Sequence, residues 1–113
     1  MQGRKPMSQK IAVMVTGIGG GGHGEQIIKA LRLADTKYEI VGCDMSPVSK
    51  GLAEVEHPYL VPPASDPDYI TCILALCNKH KVKALFHGSE PELKVMSRDR
   101  EAIEGNGIFL PIN

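Results

Sequence analysis

The chain has 113 residues, 42% apolar and 23% charged, and thirteen basic residues balance thirteen acidic ones. That length suits one ordinary domain rather than two, and folding at this size buries roughly 60–70% of the unfolded chain's surface. The zero net charge argues against a long-range field for nucleic acid or anionic membrane, and the lack of Trp with only two Phe argues against a stacking platform for single strands.

Residues 1–9, MQGRKPMSQ, are polar and basic and read as a flexible tail, with the domain over 10–113. Lys10 to Thr16 is a continuous apolar run that ends at glycine, which suits a central parallel strand buried on both faces. The stretch from Gly17 to Gly24 follows, and six of its eight residues are glycine. From Glu25 to Ala34 the apolar positions Ile27, Ile28, Leu31 and Ala34 form one helical stripe.

Tyr38 to Asp44 is a second strand with an acid at its carboxyl end. Ser46-Pro47 reads as the N-cap and first residue of a short helical turn through about Leu52. Tyr59-Leu60-Val61 is a short third strand cut off by Pro62-Pro63, as suits a sheet edge. Asp66 and Pro67 then read as the N-cap and first residue of a helix with the stripe Ile70, Ile73, Leu74 and Cys77. Lys79-His80-Lys81 sits at its negative C-terminal end.

Val82 to His87 is a fourth strand. Ser89 and Glu92 have capping-box spacing at the head of a helix that runs through Leu93, Met96 and Ile103 to Gly105-Asn106-Gly107. Ile108 to Ile112 is a fifth strand. Strands alternating with helices imply an α/β fold: three layers, with a parallel sheet of four to five strands and right-handed crossovers. The expected strand order is 3-2-1-4, with the fifth beyond the fourth. A unit ending on a strand looks cut from something longer.

Gly17, Gly19 and Gly22 satisfy GxGxxG, and so do Gly19, Gly21 and Gly24. With so many glycines the match is nearly automatic, but a strand before, a helix after and Asp44 about 20 residues on give it context. In a free-standing dinucleotide- or nucleotide-binding module Asp44 would hold a ribose hydroxyl. The plainer alternative is that the glycines let the helix pack near the strand and Asp44 caps a turn. No Lys or Arg lies between Gly17 and Gly24, and Glu25 in the first helical turn opposes an incoming anion.

The order 3-2-1-4 puts the topological switch between strands one and four, where ligands of open α/β sheets gather. Gly19, Gly20, Gly21 and Gly22 would then face Ser89 and Glu90 across one crevice. Glu90 and Glu92 could hold an ammonium, a hydroxyl or a metal-bound group; alternatively, Ser89 and Glu92 only cap their helix. No metal motif and no nucleophile–base set stands out. Cys43, Cys72 and Cys77 lack CxxC spacing and read as reduced thiols of a cytoplasmic protein, and no apolar run reaches the ~18–20 residues of a membrane span.

Four blocks in order, IAVMVTGIGGGGHGEQIIKALR, YEIVGCDMSPVSKGL, YLVPPASDPDYI and LFHGSEPEL, resemble the N-terminal pre-ATP-grasp domain of ATP-grasp ligases, above all carbamoyl-phosphate-synthase-like members. The resemblance covers about residues 10–113. It implies a Rossmann-like unit that binds no nucleotide itself and packs over an active site whose ATP and Mg2+ lie between two following subdomains. It implies that Gly19 to Gly22, Asp44, Ser89 and Glu90 bind a small carboxylate or amine substrate, with no catalytic residue and no cofactor in this chain. It implies as partners the ATP-grasp subdomains of the same polypeptide, without which the chain would be inactive. An apolar face left uncovered by them could serve a homodimer. His23 departs from the resemblance, standing where a small aliphatic residue is usual.

Overall fold

A computed structural model describes residues 10–19 and 22–112. The expected tail at 1–9 lies outside them, as do Gly20 and Gly21. Four strands form one parallel sheet: β1 (Ile11–Thr16), β2 (Tyr38–Asp44), β3 (His57–Leu60) and β4 (Ala84–Phe86), in the order β3-β2-β1-β4. The helices are α1 (His23–Leu33), α2 (Tyr69–His80), α3 (Glu90–Arg98) and α4 (Arg100–Gly105), with a 3-10 turn over Lys50–Glu54.

Alternation along the strands divides the core into two. Val13, Val15 and Ile40 point to one face, where Ile28 of α1 covers them. Ala12, Met14, Val41, Cys43 and Leu85 point to the other, under Ile73 and Cys77 of α2, Met96 of α3 and Ile103 of α4. The sheet is therefore the middle of three layers, as its continuous apolar strands require.

The fifth strand shrinks to a single bridge between Phe109 and Ala84. Phe109 donates its N–H to Lys83 and accepts from Leu85 at 2.8 and 3.0 Å, beside β4 as expected. Backbone groups alternate sides along a strand, so the next rung would need the N–H of residue 111, which is Pro111 and has none.

The opposite edge is blocked by the same chemistry. Val61 donates its N–H to Asp44 at 3.0 Å, so odd-numbered positions of this segment face β2 and even ones face outward. Two of the three outward positions, Pro58 and Pro62, lack a donor. A free row of N–H groups for edge-to-edge pairing is therefore missing from this side.

Three helix boundaries differ from expectation. Asp66 shapes a turn rather than capping α2: its Oδ1 accepts from Asp68 N at 2.8 Å and its carbonyl accepts from Tyr69 N at 3.0 Å, which delays the helix to Tyr69. The turn after Ser46 becomes 3-10 and starts only at Lys50. The helix expected through Ile103 breaks at Asp99 (φ −105°, ψ 26°), which ends α3 and begins α4. No helix among the described residues is long and apolar enough to cross a membrane.

Candidate functional site

The carboxyl ends of β1 and β4 lie side by side, so the loops that leave them meet. Gly17 turns the chain off β1 at φ +59°, and a Cβ there would stand 2.6 Å from Glu92 Oε1. At Gly88 a Cβ would stand 1.9 Å from the Thr16 carbonyl oxygen. Both positions must be bare for the two loops to touch. Thr16, fully buried at the end of β1, accepts the Gly88 N–H on Oγ1 at 3.3 Å.

The start of the glycine loop, Ile18 and Gly19, is tied down. Ile18 N donates to the Cys43 carbonyl at 3.2 Å, and the Ile18 side chain, 1% exposed, joins the core below. Gly19 N donates to Asp44 Oδ1 at 3.2 Å, and Ser46 N to Asp44 Oδ2 at 3.1 Å. Asp44 thus straps the loop to the end of β2, and one N–H that an anion could have used is already taken.

Glu92 lies at the back of the crevice. It is 8% exposed. Ser89 Oγ donates to its Oε1 at 2.9 Å, and Tyr69 Oη donates to its Oε2 at 2.5 Å. Ser89 sits at the N-cap of α3 but caps no N–H with its side chain, because its hydroxyl is turned to Glu92. Burial, and then the Glu92 carboxylate, push the Tyr69 phenol well above its ordinary range, so it stays a donor. Nearby His87 and His23 have ring centroids 5.2 Å apart. Burial, then His23, hold His87 below the ordinary histidine range, leaving it neutral at pH 7.

Ser89 and Glu92, with Gly17, Gly19, Asp44 and Gly88, line a cleft of about 460 Å³. Asp44, Ser65, Ser89 and Glu92 supply polar atoms, and Val61, Pro62, Pro63 and Met45 supply apolar wall. Lys and Arg are missing from the described lining residues. Such a cleft suits an ammonium or hydroxyl on an apolar stem better than a phosphate. Among the described residues no three His, Cys, Asp or Glu are grouped to hold a metal ion.

Of the residues singled out in the sequence, Gly19, Asp44 and Ser89 line this cleft, while Gly22 and Glu90 are exposed and stand outside its lining. Successive helix residues turn by about 100°, so Glu90 and Glu92, two apart, face nearly opposite ways, and it is Glu92 that turns inward. Gly20 and Gly21 lie outside the described residues. Sequence reasoning missed Tyr69, although Tyr69, Ile73 and Cys77 repeat at i, i+4, i+8. It also missed Val61 to Ser65 as cleft wall, reading them as the end of a strand, its proline stop and the opening of a helix.

A family model described as PylC-like, N-terminal domain, matches residues 13–110. The chain belongs to that family. No curated protein matches the chain. The PylC-like match runs from Val13, within β1, past the Phe109 bridge, so it takes in β2, β3, β4, most of β1 and every described lining residue of the cleft. A PylC-like N-terminal domain is a pre-ATP-grasp domain of an ATP-grasp ligase, and the resemblance drawn from the four sequence blocks holds.

Proposed function

We propose that this pre-ATP-grasp domain forms the substrate-side wall of its ligase's active site and receives the amine partner in the Asp44–Glu92 cleft. The supporting observation is the pairing of two carboxylates in one mostly apolar cleft with no Lys or Arg among its described lining residues. An ammonium placed there gains counter-charge and hydrogen-bond acceptors, whereas a carboxylate or phosphate would meet two like charges.

ATP, with Mg2+, supplies the chemistry that turns a carboxylate into an acyl phosphate, and in this reading both are held by the ATP-grasp subdomains. This chain's part is to bind and orient the amine. Its nitrogen, once one ammonium proton has gone to solvent, attacks the acyl carbon; the C–O bond to phosphate breaks, the departing phosphate takes up a second N–H proton, and an amide forms. Ser89 and Tyr69 fix the rotamer of Glu92, so the acceptor is preorganised. The domain by itself binds without ligating. The carbamoyl-phosphate-synthase-like likeness is one version of this reading, and a cytoplasmic setting agrees with three free cysteines.

The reading is tested on the domain with n-butylammonium and n-butyrate as probes, followed by amide NMR shifts. Shifts at Gly17, Gly19 and Ser89 with the cation alone support it. NAD binding in the micromolar range would instead support the dinucleotide module.

A further inference from the structure

A second cluster of titratable groups lies away from the cleft, where the edge strand meets the end of α2. His57 and His80 stack with ring centroids 4.3 Å apart at 35°. Tyr59 Oη and His80 Nε2 share a hydrogen bond at 2.7 Å. From β2, Glu39 Oε1 reaches His57 Nε2 at 3.3 Å. From α2, Lys79 Nζ lies 5.5 Å from the centroid of the Tyr59 ring.

These contacts fasten one excursion of the chain. β3 starts at His57 and runs directly into Val61, Pro62, Pro63, Ala64 and Ser65, which wall the cleft. The same excursion returns through α2, whose first residue Tyr69 holds Glu92 and whose last residue is His80. β3 is only four residues long and, among the described residues, pairs with the sheet on one side alone, so its docking onto α2 matters for its place.

We propose that the His57–His80 pair is a pH-sensitive staple that holds the cleft wall in place; its bearing on ligand binding rests on the reading of the cleft given above. With the pair uncharged or singly charged the rings stack and the wall is seated. Two imidazolium rings at this separation repel. Glu39 offers one counter-charge. Lys79 opposes a second positive charge, and the α2 dipole favours one at His80 only in part. Burial, then His57 and Lys79, hold His80 below the ordinary histidine range, in agreement with that arrangement. The second proton therefore enters as the staple opens, and it loosens residues 61–65.

The test follows the ligand-free chain by NMR from pH 8 to 5, reading the His57 and His80 ring signals and the amides of Val61, Ala64 and Ser65. We expect one ring to titrate below the ordinary value of about 6.5. Amide exchange at Val61, corrected for its intrinsic pH dependence, should accelerate roughly tenfold across the same range, the equivalent of one pKa unit. His80→Gln and His57→Gln, each removing one partner of the pair, should abolish that pH dependence. Ordinary titration of both rings with silent amides at 61–65, or an unchanged pH dependence in both variants, would overturn the proposal. Because no ligand is used, the outcome is independent of whether the cleft binds an amine.

Discussion

Tyr69 donates its hydroxyl to the Glu92 carboxylate at 2.5 Å, tying the first residue of α2 to the first turn of α3 across 23 positions of sequence. Through this one bond a helix packed against the sheet sets the direction of the acid in the cleft. Removing the phenol hydroxyl leaves Glu92 Oε2 without its partner, and a carboxylate beside an open cleft recovers part of that from water. Tyr69→Phe should cost about 1 kcal/mol, the low end for an orphaned polar group, measured by urea unfolding. Glu92→Ala removes both hydrogen bonds and should cost more than Tyr69→Phe.

The contact of the two loops through bare glycines makes a sharper prediction. Gly88→Ala places a methyl 1.9 Å from the Thr16 carbonyl oxygen, which belongs to the backbone of a central strand and cannot step aside. A loss of about 3 kcal/mol or more is expected, at the top of the overpacking range. Gly105, at the end of α4, has nothing within 4 Å of an added Cβ and no left-handed backbone. Gly105→Ala should stabilise by about 0.4–1 kcal/mol, chiefly by restricting the unfolded chain. Thermal melting of both variants beside the parent chain separates the two effects.

Much of this was legible in the sequence. Apolar strands ending at glycine or Asp44, with amphipathic runs between, state the parallel sheet and its order, because helical crossovers allow few other topologies. Pro62-Pro63 marks the edge. The site was legible only in outline. Gly19, Asp44 and Ser89 stand at strand ends, where a pattern can see them. Glu92 was visible as a capping partner, but that Ser89 turns its hydroxyl to Glu92, and that Tyr69 arrives on the other side, depends on how α2 crosses the sheet. A periodicity count names a buried face and not the atom that one buried side chain reaches.

The thiols give a third check. Burial pushes Cys77 up to about 12 and Cys43 higher still, whereas Cys72 is only half-buried. At pH 8 neither Cys43 nor Cys77 forms thiolate in the folded chain. A disulfide reagent should therefore label Cys72 first, with Cys43 and Cys77 labelled only on unfolding. Peptide mass analysis at successive times reads the order, and early labelling of Cys43 would contradict the packing described.

The central claim is that the Asp44–Glu92 cleft takes an amine. Titrating the domain at pH 7 with n-butylammonium, n-butyrate and NAD, in the parent chain and in Glu92→Gln, tests it most directly. The account predicts saturable amide shifts at Gly17, Gly19 and Ser89 with the cation, weakened roughly tenfold or more in Glu92→Gln, the range for a lost charge-assisted hydrogen bond. Shifts at those amides with butyrate or NAD, and none with butylammonium, would contradict it.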